Sequence, residues 1–170
     1  MTCAIELRMT FAHRMAASFL GSALLAASLL LVSLAAAASD LPTKFDPSRD
    51  ALKDVATAVA QAKSDGKRVL VDVGGEWCSW CHVLDKFMDS DDAVRSARDA
   101  AFVLVKVNWS PENKNANLLS KWPKIKGYPH FFVLDATGKL IWSQDTGELE
   151  AGESYDRTKF LVFLSKLAPT

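Results

Sequence analysis

An apolar run ending at Val73 gives way, through Gly74 and Gly75, to Trp77-Cys78-Ser79-Trp80-Cys81-His82, after which apolar residues recur at helical spacing. This junction constrains the chain more than any other stretch. Two cysteines three residues apart in the first turn of a helix share one face, about 5 to 6 Å apart, within the Cα separation a disulfide tolerates. The pair reads as a dithiol that closes to a disulfide and reopens with little backbone movement. Unpaired N–H groups and a partial positive charge at the helix start favour the thiolate of the first sulfur. Cys78 is therefore the expected nucleophile and Cys81 the resolving thiol.

The chain has 170 residues, 49% of them hydrophobic, and a formal net charge of zero. That suits one domain with a real core plus an appendage. Zero net charge, with only a short cluster at Lys121, Lys124 and Lys126, gives no footprint for nucleic acid, and solvated surface is the reading of those lysines. The appendage is N-terminal. Arg8, His13 and Arg14 precede an apolar stretch from Met15 to Leu34, and Ala35-Ala36-Ala37-Ala38-Ser39-Asp40 follows. This pattern predicts a secretory signal over residues 1–38, cleaved after Ala38. The alternative is an uncleaved anchor, since Met15 to Ala38 is long enough to span a bilayer. Cleavage implies an exported, periplasmic protein with no stable membrane insertion.

Removing the leader also removes Cys3 and leaves Cys78 and Cys81, both in the motif. An exported protein works where thiols are oxidised. A structural disulfide stabilises most by closing a long loop, and this one closes a very short one, so chemistry explains it better than stability.

Residues 39–47 form a polar, proline-bearing lead-in to a domain over 48–168. Ala51, Leu52, Val55, Ala58, Val59 and Ala62 then predict a helix capped by Ser48 and ended by Gly66. Arg68 to Val73 predicts a strand buried on both faces. The motif helix carries Val83, Leu84, Phe87 and Met88, and Asp91 caps a short helix to about Arg98. Phe102 to Val107 is a second buried strand. A polar connection to Lys126 holds one short helix at Ala116 to Trp122, and His130 to Leu134 with Leu140 to Ser143 form a hairpin. A last helix starts near Ser154, and the acidic stretch Asp145 to Glu153 reads as a solvated loop. This order predicts an α/β fold: a central mixed β-sheet with helices on both faces, three layers in all.

The order of elements, the Trp-Cys-x-x-Cys after a buried strand, and Gly127-Tyr128-Pro129 before the hairpin resemble the thioredoxin superfamily over roughly Ser48 to Leu167. Val71 to Cys81 is similar to small exported members with tryptophan inside the motif. The resemblance implies a thioredoxin-like fold and thiol-disulfide exchange with protein disulfide or dithiol substrates, with no dissolved cofactor and a membrane electron donor if the protein reduces.

Asp72, six residues before Cys78, sits among Val69, Leu70, Val71 and Val73. Burial would raise its pKa and let it exchange a proton near neutral pH. The resemblance implies that it serves Cys81; the plain alternative is a solvated aspartate at a strand end. Lys106 interrupts the second apolar strand and resembles the lysine that neighbours that aspartate in thioredoxins, the alternative being an ammonium that snorkels to solvent. Pro129 resembles the superfamily's cis-proline, Tyr128 would then meet substrate through its backbone, and His130 stands where a small hydroxyl residue is common. Trp77, beside Cys78, is assigned to substrate contact. Trp109, Trp122 and Trp142, with Trp77 and Trp80, could form an apolar surface around the site, the alternative being ordinary core packing. Ser79-Trp80 holds no charge, which favours a reductant or moderate exchanger over a strong oxidant.

Other readings of the same residues remain. Cys78-x-x-Cys81-His82 is also the attachment signature of a c-type haem, with Met88 and His130 as the candidates for a second axial ligand. A zinc site from Cys78, Cys81 and His82 lacks a fourth ligand. A thioredoxin-like binding module with a permanent disulfide is the third alternative.

Overall fold

A computed structural model describes residues 40–170; the leader predicted over residues 1–38 lies outside the described residues. The elements run α1 (Ala51–Asp65), β1 (Arg68–Gly74), α2 (Ser79–Ser90), α3 (Asp92–Ala101), β2 (Phe102–Asn108), α4 (Ala116–Leu119), β3 (His130–Leu134), β4 (Leu140–Asp145), a 3₁₀ turn (Thr146–Leu149), β5 (Glu150–Ala151), β6 (Ser154–Tyr155) and α5 (Arg157–Lys166). Among the described residues, no helix is long and apolar enough to cross a membrane.

The main sheet has the order β2-β1-β3-β4, with β1 parallel to β2 and antiparallel to β3. It is mixed because a crossover through α2 and α3 joins its parallel pair, while a tight turn at Gly138 joins β3 to β4. Alternation along the strands sorts side chains into two layers. Val69, Val71, Val73, Val103, Val105, Val107, Phe132 and Leu134 pack under α1. Leu70, Phe102, Phe131 and Val133 pack under the helices of the other face with Leu84, Phe160 and Leu164. Full burial of a phenylalanine such as Phe132 contributes about 1.5–3 kcal/mol.

Several boundaries differ from the sequence reading for local chemical reasons. The cap of α1 is Asp50, whose carboxylate accepts the N–H groups of Leu52 and Lys53, whereas Ser48 is occupied with Asp46. Gly66 does end that helix, in the left-handed region at φ 67°. Asp91 caps α3 as expected, and the helix runs on to Ala101. The short helix α4 stops at Leu119, before Trp122.

The stretch from Asp145 to Glu153 is not a solvated loop. Thr146 and Leu149 are buried, and β5 and β6 form a small hairpin that carries Tyr155 into the core. The last helix accordingly starts at Arg157, capped by Asp156 rather than near Ser154. The polar lead-in is also part of the packed unit, because Phe45 is 2% exposed.

Candidate active site

The end of β1 is stripped of side chains where α2 begins. A Cβ on Gly74 would stand 2.5 Å from Cys81 Sγ and 2.9 Å from the Phe45 ring, so only glycine lets the strand end pass under the sulfurs. Cys78 is the N-cap of α2, and its sulfur accepts the Cys81 N–H at 3.1 Å. The two cysteines are joined in a disulfide with Cα atoms 5.2 Å apart, inside the range expected from their spacing. Both are nearly buried, and Phe45, Trp80 and Tyr128 pack against them.

Asp72 points to the same face of β1 as Gly74, which lies against Cys81 Sγ, and stands one strand repeat, about 6.5–7 Å, back along the row from that glycine. It is fully buried. Its register partner on β2 is Lys106, whose Nζ donates to Asp72 Oδ2 at 2.9 Å and also to Asp85 Oδ1. Lys106 is thus paired rather than snorkelled, and its ammonium also lies 4.2 Å from the centre of the Phe45 ring. Burial pushes the Asp72 carboxyl up. The Lys106 ammonium opposes that shift without cancelling it, and the Asp85 carboxylate adds to it. Burial pulls Lys106 down, but the two carboxylates more than offset this and hold it charged. Asp72 Oδ1 is buried without a hydrogen-bond partner, which adds to the cost of its charged form.

Three aromatic rings stand beside the disulfide. Trp77 is 55% exposed, donates its indole N–H to the Trp109 carbonyl at 2.8 Å, and meets Trp109 and Tyr128 edge-on. Trp109 stacks on Tyr128 at 5.0 Å. The Tyr128–Pro129 peptide is cis, and the Pro129 carbonyl accepts the Thr146 hydroxyl at 2.6 Å. Trp80, between the cysteines, rests edge-on against Tyr155 of the small hairpin. The remaining tryptophans divide: Trp122 packs on Phe132, and Trp142 is 37% exposed under the Lys166 ammonium.

All the residues expected from sequence lie here: Cys78, Cys81, Asp72, Lys106, Trp77, Tyr128 and Pro129. Four participants were not expected. Asp85 stands one helical turn after Cys81, a spacing that could have pointed to it. Phe45 was hidden in a polar stretch, and Glu76 fixes it by accepting the Phe45 N–H. Thr146 lay in the segment read as loop. The His82 ring is engaged by the backbone, donating to the Glu76 carbonyl at 2.9 Å. The disulfide leaves neither sulfur for thioether attachment of a haem. His130 is buried, hydrogen-bonded to the Ser143 hydroxyl, and burial lowers its pKa.

The family described as Thioredoxin-like matches residues 50–136, half of the chain. Two curated relatives carry the name thiol:disulfide interchange protein DsbD. That of Actinobacillus pleuropneumoniae serotype 5b (strain L20) is 31% identical over 105 residues, covering 61% of this chain and 17% of the relative. That of Tatumella citrea is 30% identical over 107 residues, covering 62% and 17%. This chain therefore spans less than a fifth of the length of those relatives. Among solved structures, a disulphide isomerase from Xylella fastidiosa Temecula1 superposes with a TM-score of 0.62 at 27% identity, covering 76% of this chain and 98% of that one. The match over half its length and a closed cysteine pair at a strand-to-helix junction place the chain in the thioredoxin-like family, to which it belongs.

Proposed function

We propose that the protein is exported and reduces disulfides of other proteins, with Cys78 as nucleophile. The observation that carries this reading is the Cys78–Cys81 disulfide at the start of α2, above a buried Asp72 that is joined to Lys106 and Asp85. The Cys78 thiolate attacks one sulfur of the substrate disulfide and expels the other as a thiolate. Asp72 takes the proton of Cys81, whose sulfur then attacks Cys78 and releases the second substrate thiol. Two electrons pass to the substrate, and the protein ends as the disulfide. Lys106 is a positioning residue, holding Asp72 in place and tuning its charge. Asp85, with its side chain 30% exposed, links that pair to a pocket of about 290 Å³ lined also by Leu41, Thr43 and Arg98. The proton leaves by that route.

Trp77, Tyr128 and Pro129 receive the substrate chain beside the sulfurs. The Cys81 N–H on Cys78 Sγ and the start of α2 stabilise the attacking thiolate, and no charge from Ser79 or Trp80 is added to them. That balance favours a reductant. A membrane electron donor restores the dithiol in an oxidising compartment, consistent with the apolar stretch Met15 to Leu34 that directs export.

The test is the reduction potential of the pair, titrated against dithiothreitol and glutathione and followed by tryptophan fluorescence. A value near about −270 mV is expected, while one near about −120 to −180 mV would assign the protein to oxidation or isomerisation instead. Cys81→Ser should accumulate a mixed disulfide through Cys78. Absence of both the titration and the trapped species would sink the exchange reading.

A further inference from the structure

The segment that leads into Pro129 is chemically one-sided. From Asn113 to Leu134 there is no acidic residue, yet the stretch holds Lys114, Lys121, Lys124 and Lys126, all exposed. Elsewhere Arg49, Arg95, Arg98, Lys106 and Arg157 sit in ion pairs, and exposed lysines without one, such as Lys53, Lys63 and Lys139, are spread over α1 and the β3–β4 turn rather than gathered in one segment. These four lysines have no ion pair or hydrogen bond from their ammonium groups among the described residues.

Their orientation is imposed by the residues between them. Trp122 and Ile125 turn inward and pack on the α1 face of the core, which leaves Lys121, Lys124 and Lys126 to solvent. Tyr128, which follows, packs against the cysteines. An extended chain advances at most about 3.6 Å per residue, so the Lys126 Cα lies within about 7 Å, and the Lys124 Cα within about 14 Å, of Tyr128. Lys126 and Lys124 thus stand on the exposed stretch of chain that leads directly into Tyr128 of the Trp77–Trp109–Tyr128 aromatic cluster. Glu76, the exposed acid next to Trp77, is engaged by the Phe45 N–H and faces the lead-in.

We propose that Lys121, Lys124 and Lys126 form, with the Trp77–Trp109–Tyr128 rings, a docking rim for an acidic segment flanking the reactive cysteine of a partner protein. The inference deepens the exchange reading and rests on it. A field of unpaired cations at the mouth of a site raises the rate of encounter with acidic partners and suppresses basic ones. The aromatic rings hold the partner's chain by contact once it has arrived. The exchange itself is the step already given, and the lysines take no part in it.

The test uses the reduced protein and three cysteine peptides of equal length, flanked by aspartates, by serines or by lysines, each blocked as a 2-thiopyridyl mixed disulfide. The Cys78 thiolate displaces thiopyridone, which is read by absorbance, and Cys81 then releases the peptide thiol. At low ionic strength the acidic peptide should react about tenfold faster than the basic one, and the gap should close at about 0.5 M salt, where the Debye length is only a few ångströms. The triple variant Lys121→Gln, Lys124→Gln, Lys126→Gln should bring the ratio close to one. A charge-matched control, Lys53→Gln, Lys63→Gln, Lys139→Gln, alters exposed lysines of α1 and the β3–β4 turn and should keep most of the ratio. Equal rates for acidic and basic peptides in the native protein would overturn the rim. So would a ratio that falls equally in both triple variants, since net charge would then explain it. Failure of the serine peptide to react at all would overturn the exchange reading and the rim with it.

Discussion

The two faces of the β1–β2 pair are built from the same strands and could hardly differ more. Toward α1, successive inward positions are Val69, Val71 and Val73 on one strand and Val103, Val105 and Val107 on the other. Toward α2, the pair places Asp72 directly opposite Lys106 and closes the site with Asp85. These six valines have no polar group to satisfy, so their contribution to stability follows apolar area. The charged face sets the desolvation of two strand residues against their mutual attraction, which is a weak route to stability and a strong one to a tuned proton acceptor. Side-chain alternation thus lets one pair of strands anchor the fold on one side and manage a proton on the other.

The comparison can be broken from either face. Phe132→Ala, on the apolar side, should lower stability by about 3–5 kcal/mol in urea unfolding and leave the potential of the cysteine pair where it is. Lys106→Met, on the charged side, should cost about 3 kcal/mol, because it strands Asp72 and Asp85 without their shared cation. Unlike the first, it should also displace the pH profile of disulfide exchange. If both variants changed stability alone, the division between the faces would be lost.

A smaller effect of opposite sign sharpens the contrast. Because burial raises the Asp72 pKa, the folded protein keeps a proton that the unfolded chain has released. The stability due to that proton is full below about pH 4, the ordinary aspartate value, and is lost as pH rises through the folded value. Asp72→Asn should therefore flatten this decline, so that the variant gains on the native protein as pH rises from about 4 to 8, while slowing release of the mixed disulfide. Melting curves from pH 4 to 9 check the first part, and single-turnover exchange checks the second. The smallest effect belongs to His130, on the valine side. Burial lowers its pKa, so its contribution is present above about pH 6.5 and is lost as pH falls through the folded value. His130→Gln should remove that acid-side loss, visible as a shallower fall in melting temperature between pH 6.5 and 4.

The strands and the cysteine junction were legible because their signals are local: an unbroken apolar run, two glycines, and a spacing that fits one helical turn. Asp72 and Lys106 stood out as single charges within such runs, and each supported the other. What escaped the sequence was defined by distant partners. Phe45 acquires its role only from Glu76, Lys106 and the cysteines, none of them near it in the chain. Asp85 looks like any polar helix residue until Lys106 is brought to it. In Asp145 to Glu153 the acidic composition outweighed Thr146 and Leu149, whose inward turns are set by the 3₁₀ geometry rather than by a strand or α-helix period. Tyr155, just beyond, was assigned to the last helix because the two-residue strand that holds it is too short to leave a pattern.

Phe45 has one more consequence, which concerns time rather than space. A polypeptide is made from its N-terminus, so this ring leaves the ribosome before any surface that it will cover exists. Its seat needs the end of β1, the start of α2 and the ammonium of Lys106, and β2 is made last of these. Until then both thiols are already in the growing chain without the ring that will pack against them. The interval between making the cysteines and seating the ring is when they are most open to the wrong oxidant.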